Sequence, residues 1–249
     1  MKTLALYSIK GGVGKTAAAV NLAYLSALDG FRTLVWDLDP QGSSSFYFRI
    51  KPRVRGGGKG LIGRKTEMDR LVKGTDFDNL DLLPSDFSFR NLDLYLDSRK
   101  KPAKQISKIL KPLAAEYDYV FLDCPPNISL LSESVFGAAE ALISPIIPTT
   151  LSVRTLKQLE KYIDGQADCG ALLLPFFSMV DRRKKLHREV VDSLKKDYPG
   201  LLDTQIPSAS DIEQMGLHRS PVFQYSSNSR SSTAFRRLWS ELRERLANS

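Results

Sequence analysis

The sequence predicts an α/β fold, a doubly wound and mostly parallel sheet flanked by helices. Three observations carry this. Short apolar runs alternate with longer helical patterns along all 249 residues. Most of those runs lack polar alternation, as in strands covered on both faces. The first run ends in a glycine-rich turn that opens a helix, the strand–loop–helix unit of parallel sheets. With no internal repeat and no clear linker, residues 1–249 are expected to form one domain.

Taken in order, Thr3 to Ile9 reads as a strand and Gly14 to Leu28 as a helix closed by Gly30. Thr33 to Leu38 and Leu80 to Pro84 are the next strands. Lys104 to Glu116 is helical and Tyr119 to Asp123 is a strand. Leu130 to Ala139, Thr155 to Gln166 and Lys185 to Asp197 are helices. Ala141 to Ile147 and Ala171 to Val180 are strands between them. One segment breaks the rhythm. Lys51 to Lys65, KPRVRGGGKGLIGRK, is rich in lysine, arginine and glycine and has no acid. It is expected to be a mobile loop, either a solvated insertion or an anion-binding one.

Hydrophobic residues make up 42% of the chain and charged residues 26%, ordinary values for a globular protein. Lysine plus arginine outnumber acids by 36 to 28, a balance that favours an anionic partner. The two cysteines, Cys124 and Cys169, form no CxxC pair, which argues against a zinc site or a disulfide framework. No apolar run is long enough for a membrane span, and the first residues are too short a run for a signal peptide. Cytoplasmic location is expected.

Lys10, Gly11, Gly12, Val13, Gly14, Lys15, Thr16 and Ala17 lie where the first strand passes into the first helix. Glycines there let successive N–H groups turn inward, and the helix N-terminus adds partial positive charge. Lys15 is placed to reach the β- and γ-phosphates of ATP, and the Thr16 hydroxyl to ligate Mg²⁺. The pattern G-x-x-x-x-G-K-[ST] is met imperfectly, because Ile9 stands where its first glycine belongs. Lys10 is an additional lysine. Two ammonium groups so close repel unless an anion lies between or beyond them. Lys10 could also point away and meet phosphates held by a second subunit, a geometry that would make the active form a nucleotide-sandwich dimer.

KGGVGKT resembles the deviant Walker A motif of the ParA/MinD ATPases, P-loop NTPases in which the early lysine crosses to the partner's ATP. VWDLDPQGS (35–43), FLDCPP (121–126), SMVDRRKKLHREVV (178–191) and IPSASDIEQM (206–215) extend the resemblance along the chain. The length, without an N-terminal DNA-binding extension, is similar to short chromosomal-type ParA proteins. Asp123, ending an apolar strand, is placed to hold the Mg²⁺ hydration shell. Asp37 and Asp39 end the second strand on one side of it. The resemblance implies that Asp39 positions the attacking water and that Asp37 supports the metal site. It also implies that Met179, Asp181 and Pro207 flank the adenine. Cys124 reads as a buried structural thiol and not as a cluster ligand.

Arg182, Arg183, Lys184, Lys185, His187 and Arg188 crowd one stretch, with Arg236 and Arg237 near the C-terminus. By resemblance, Lys195, Lys196 and Arg230 form a DNA-binding face that makes phosphate contacts without sequence preference. The last helix carries Phe235, Leu238, Trp239, Leu242 and Leu246 on one stripe. A MinD-type membrane helix looks similar, but Glu241 and Glu244 interrupt its positive face, so core packing is expected. The implied function is a ParA-like ATPase that is slow alone and stimulated by a ParB-like partner. It would be a homodimer with ATP, associated with the nucleoid. The alternatives are a MinD-like membrane-cycling ATPase and a metabolic P-loop enzyme with a small-molecule pocket.

Overall fold

The computed structural model describes residues 1–63, 68–166 and 169–248. In chain order the elements are β1 (Lys2–Leu6), α1 (Lys15–Leu28), β2 (Thr33–Asp37), α2 (Ser43–Tyr47), α3 (Gly57–Gly63), β3 (Lys73–Gly74), β4 (Leu80–Leu83), α4 (Leu92–Asp97) and α5 (Gln105–Leu110). There follow β5 (Tyr119–Asp123), α6 (Leu130–Phe136), β6 (Ala141–Ile146), α7 (Thr150–Asp164), β7 (Leu172–Val180), α8 (Lys185–Asp197), β8 (Gln205–Pro207), α9 (Ser210–Glu213), α10 (Met215–His218) and α11 (Arg230–Ala247).

The strands form an 8-stranded sheet in the order β3-β4-β2-β5-β1-β6-β7-β8. Every pairing is parallel except that of the two-residue edge strand β3 with β4. The doubly wound fold expected from the unalternating runs is therefore present. Successive strand residues feed opposite cores: Leu4, Leu6, Val35 and Phe121 pack with α1 and α11, while Ala5, Leu34, Trp36, Val120 and Leu122 pack with α4, α5 and α6. Burial on both faces is why these strands read as continuous apolar sequence.

Element ends depart from expectation for local reasons. β1 stops at Leu6, because the chain curls from there into the glycine turn. The helix expected over 104–116 is α-helical only to Leu110 and tightens into a 3₁₀ turn over Lys111–Ala115, where Pro112 lacks an N–H. α7 begins earlier than Thr155, because the Thr149 side chain accepts the Ser152 N–H and caps it there. α11 begins at Arg230, where the Ser229 hydroxyl accepts the Ser232 N–H.

The segment expected as a mobile loop is built structure. Val54, Leu61 and Ile62 are buried, and residues 57–63 form α3. Gly57 has φ +57°, and a Cβ there would come within 2.6 Å of the Ser88 hydroxyl oxygen. Glycine serves close packing here, not freedom. Arg64 and Lys65 lie outside the described residues.

The stripe of α11 is core. Phe235, Leu238, Trp239, Leu242 and Leu246 are all buried, and Trp239 packs edge-on against Tyr119. Glu241, on the outer side, accepts the N–H groups of Asp203 and Thr204. An apolar face spent on the core is not available to lipid, so the membrane reading of this helix gains nothing. Among the described residues no helix is long and apolar enough to cross a membrane. Cys124 is buried, as expected of a structural thiol, and desolvation pushes its pKa well up.

Candidate nucleotide site

The loops after β1, β2, β5, β7 and β8 converge at the carboxyl ends of the strands, where doubly wound sheets bind ligands. They enclose a cavity of about 400 Å³. Gly11 to Ala17 form one wall together with Asp39, Gln41, Tyr47 and Pro126. Gly12 and Gly14 have φ of +70° and +92°, a region that side chains avoid. A Cβ on Gly14 would also lie 2.9 Å from the Ser178 hydroxyl oxygen. The turn leaves the first N–H groups of α1 facing the cavity, an anion site by construction.

The two lysines of the turn part company. Lys15 is 7% exposed, and its Nζ donates to the Lys10 carbonyl at 3.4 Å. Burial lowers its pKa, against an opposing pull from Asp123 and Asp39. Lys10 is exposed, and its ammonium has no partner among the described residues.

Beneath the turn, parallel register sets Asp37 level with Asp123. Both carboxylates are buried. Ser45 donates its N–H and its hydroxyl to Asp37 Oδ2, each at 2.7 Å, and the Ser44 hydroxyl donates to Asp123 Oδ2 at 2.7 Å. The other oxygen of each, Oδ1, is buried without a partner. Asp37 is pushed up to about 8, first by desolvation and then by the charge of Asp123. Asp123 is raised by desolvation, with the hydroxyls of Ser44 and Thr16 and the charge of Lys15 pulling the other way. Two orphaned carboxylate oxygens beside a threonine hydroxyl suit a hard divalent cation such as Mg²⁺. Thr16 and Asp123 would hold it, with Asp37 behind, and it would neutralise phosphate charge. Among the described residues no group of three or more His, Cys, Asp or Glu can cage a metal.

Asp37 and Asp39 do not share one strand face, as period-two spacing suggested. β2 ends at Asp37, and Asp39 lies in the following loop, where it lines the cavity and its Oδ1 accepts the Gln41 N–H at 2.9 Å. The opposite wall is apolar: Phe176, Met179, Ile206, Pro207, Ile212 and Phe235. Met179 holds φ +54°, a strained conformation for its type and one that recurs at ligand sites. A flat purine fits such a wall. Met179 and Pro207, which the resemblance sets beside the adenine, both line this wall. Asp181 does not: its carboxylate accepts the N–H and guanidinium of Arg183 at 3.0 Å, which holds it down at about 2, and it faces the neighbouring basic cavity. That cavity also takes Arg182, Lys195, Arg230 and Arg237. Lys195 pairs with Asp203 at 2.8 Å, and Lys196 is exposed outside the cavity. Ser44, Ser45, Ile206, Ile212 and Phe235 were not foreseen in the site.

Residues 1–168 match a family model described as an AAA domain. The chain belongs to this family, in its ParA/MinD branch. It is 28% identical over 249 residues to the chromosome-partitioning ATPase Soj of Treponema pallidum (strain Nichols), covering 97% of this chain and 96% of that one. It is 26% identical to the sporulation initiation inhibitor protein Soj of Bacillus subtilis (strain 168), covering 94% and 95%. Its fold matches Cyanothece McdA, in a structure of an aspartate-to-alanine variant with ATP, at a TM-score of 0.84 and 25% identity over 97% of this chain and 96% of that one. The ParA-type sequence thus runs beyond the matched AAA segment, through both cavities.

The buried pair predicts a pH effect in this ParA-type chain. A raised carboxyl pKa means that the folded chain holds protons the unfolded chain releases, so stability falls as pH rises from about 4 towards 8. Asp37→Asn keeps an acceptor for Ser45 and removes the charge. We expect it to raise the nucleotide-free melting temperature by roughly 5 °C at pH 8 and much less at pH 5. Equal shifts at both pH values would remove the carboxylate pair as the cause.

Proposed function

We propose that residues 1–249 act as one ATPase domain that binds ATP with Mg²⁺, pairs with a second copy across the nucleotides, and holds DNA without sequence preference while paired. A ParB-like partner then speeds hydrolysis, and the pair dissociates and leaves the DNA. Cycling of this kind over the nucleoid, in the cytoplasm, segregates or positions DNA or another cargo.

The observation that carries this reading is the opposed placement of two lysines six residues from one end of the turn to the other, Lys15 buried beneath it and Lys10 exposed on its rim. Lys15 and the loop N–H groups hold the chain's own phosphates. The Lys10 ammonium has no partner among the described residues of its own chain and is presented to the phosphates of a second copy. Asp39 orients the attacking water from the cavity wall. Names and ATP-bound structures among the relatives support the same reading. The test is light scattering and DNA retention with and without ATP: an ATP-dependent dimer that holds a random duplex is expected, and a monomer with ATP that ignores DNA refutes the proposal.

Arg230 is exposed at the basic cavity and absent from the nucleotide cavity. Arg230→Glu is therefore expected to weaken duplex binding about tenfold and lower the salt slope by about one, with ATP affinity unchanged. Unchanged retention at low salt removes Arg230 from the DNA face.

A further inference from the structure

The cationic segment from Lys51 to Lys59 has no part in the site described so far. Its backbone is pinned: the Val54 N–H donates to Asp86 Oδ2 at 2.9 Å and the Gly58 N–H to Ser88 Oγ at 2.8 Å. A Cβ on Gly58 would sit 3.0 Å from Leu92 Cδ2, so the chain lies flat on the stretch after β4. Val54 faces inward, and Lys51, Arg53, Arg55 and Lys59 face outward.

Some exposed cations find carboxylates, as Arg32 does with Asp118 and Arg243 with Asp29, while others, Lys10 among them, find none among the described residues. Lys51, Arg55 and Lys59 have no hydrogen-bond or ion-pair partner among the described residues. Arg53 alone faces an acid, Asp86. Like charges along one short, fixed stretch of backbone repel, and an anion relieves them. The outward side chains of the segment are cationic, with no acid among them. Phe87, in the anchoring stretch, carries the Arg90 guanidinium 4.1 Å from its ring centroid and so adds a further cation. Outward cations with no acid among residues 51–59 suit a phosphate backbone, and the exposed Phe87 ring beside them carries a cation of its own.

We infer that Lys51, Arg55 and Lys59 form a second DNA-phosphate contact surface, separate from the one at Arg230. The inference rests on the DNA-binding reading above. The two surfaces lie towards opposite edges of the sheet, six strand spacings from β4 to β8, or roughly 30 Å. At that distance their effects add.

The test is a salt titration of ATP-loaded protein on a random-sequence duplex, comparing wild type with Lys51→Gln/Arg55→Gln/Lys59→Gln. The slope of log K against log salt is expected to fall by about two to three, since each phosphate contact contributes about 0.9. ATP affinity and melting temperature are expected to stay as in wild type. Arg55→Gln alone should lower the slope by about one, and Arg55→Lys should restore it. Combination with Arg230→Glu should add the two losses. A wild-type slope in the triple variant overturns the inference, as does a loss of slope that Arg55→Lys fails to restore. Wild-type protein that binds no duplex at any salt fails the function reading instead, and the two failures are told apart by that control.

Discussion

Lys15→Ala is expected to raise the dissociation constant for ATP about 10- to 100-fold while the chain stays folded. Lys15 is the one ammonium of the turn held inside, 7% exposed and below its ordinary pKa through burial. Among the described residues its Nζ donates only to the Lys10 carbonyl, at 3.4 Å, a long bond that a phosphate oxygen can replace. Loss of a charge-assisted contact in a dry site is worth about 1.5–3 kcal/mol, and each 1.4 kcal/mol is tenfold in affinity. The same change leaves the buried Asp123 without its neighbouring cation, so the remaining site repels phosphate further. Titration with a fluorescent ATP analogue checks this, and binding within threefold of wild type would remove Lys15 from the site. Melting of the variant separates lost binding from lost folding.

What the sequence makes legible is what backbone geometry dictates. The turn at 10–16 is readable because positive φ at Gly12 and Gly14 admits little besides glycine. β5 and β6 are readable because both their faces are buried and every residue in them is inside. The site residues that escape reading depend on register between distant strands. Ser44 and Ser45 look like ordinary turn residues, and only the pairing of Asp37 with Asp123 gives them carboxylates to hold. Phe235 belongs to an apolar stripe, and the stripe signal does not reveal that one of its members faces the cavity. Asp181 lies outside the nucleotide cavity, with its carboxylate held in a local turn by Arg183. Glycine content misleads at 56–60, where the missing side chains allow contact with Ser88 and Leu92 and do not loosen the chain. Period-two reasoning misleads at Asp39 because the strand has already ended.

Asp39→Ala is expected to separate nucleotide binding from hydrolysis. Asp39 lines the cavity from a loop and acts on Lys15, Asp37 and Asp123 through its charge and not through hydrogen bonds, so its removal leaves Lys15, Thr16 and Asp123 in place. One carboxylate oxygen accepts the Gln41 N–H at 2.9 Å, and the Ser85 hydroxyl donates to the Asp39 carbonyl, which fixes the side chain's direction. The remaining oxygen has no partner among the described residues and is available to a water in the cavity. A positioned carboxylate that orients or deprotonates water contributes about 10²–10⁴-fold. The variant should therefore bind ATP within a few-fold of wild type and lose hydrolysis by about 100-fold or more. With hydrolysis gone, nothing ends the ATP-bound state, and the dimer should persist on a duplex after wild type has dissociated. Light scattering with ATP decides the dimer, and phosphate release decides the chemistry. A variant that stays monomeric with bound ATP would refute the sandwich. One that hydrolyses ATP at the wild-type rate would move the water-positioning role away from Asp39.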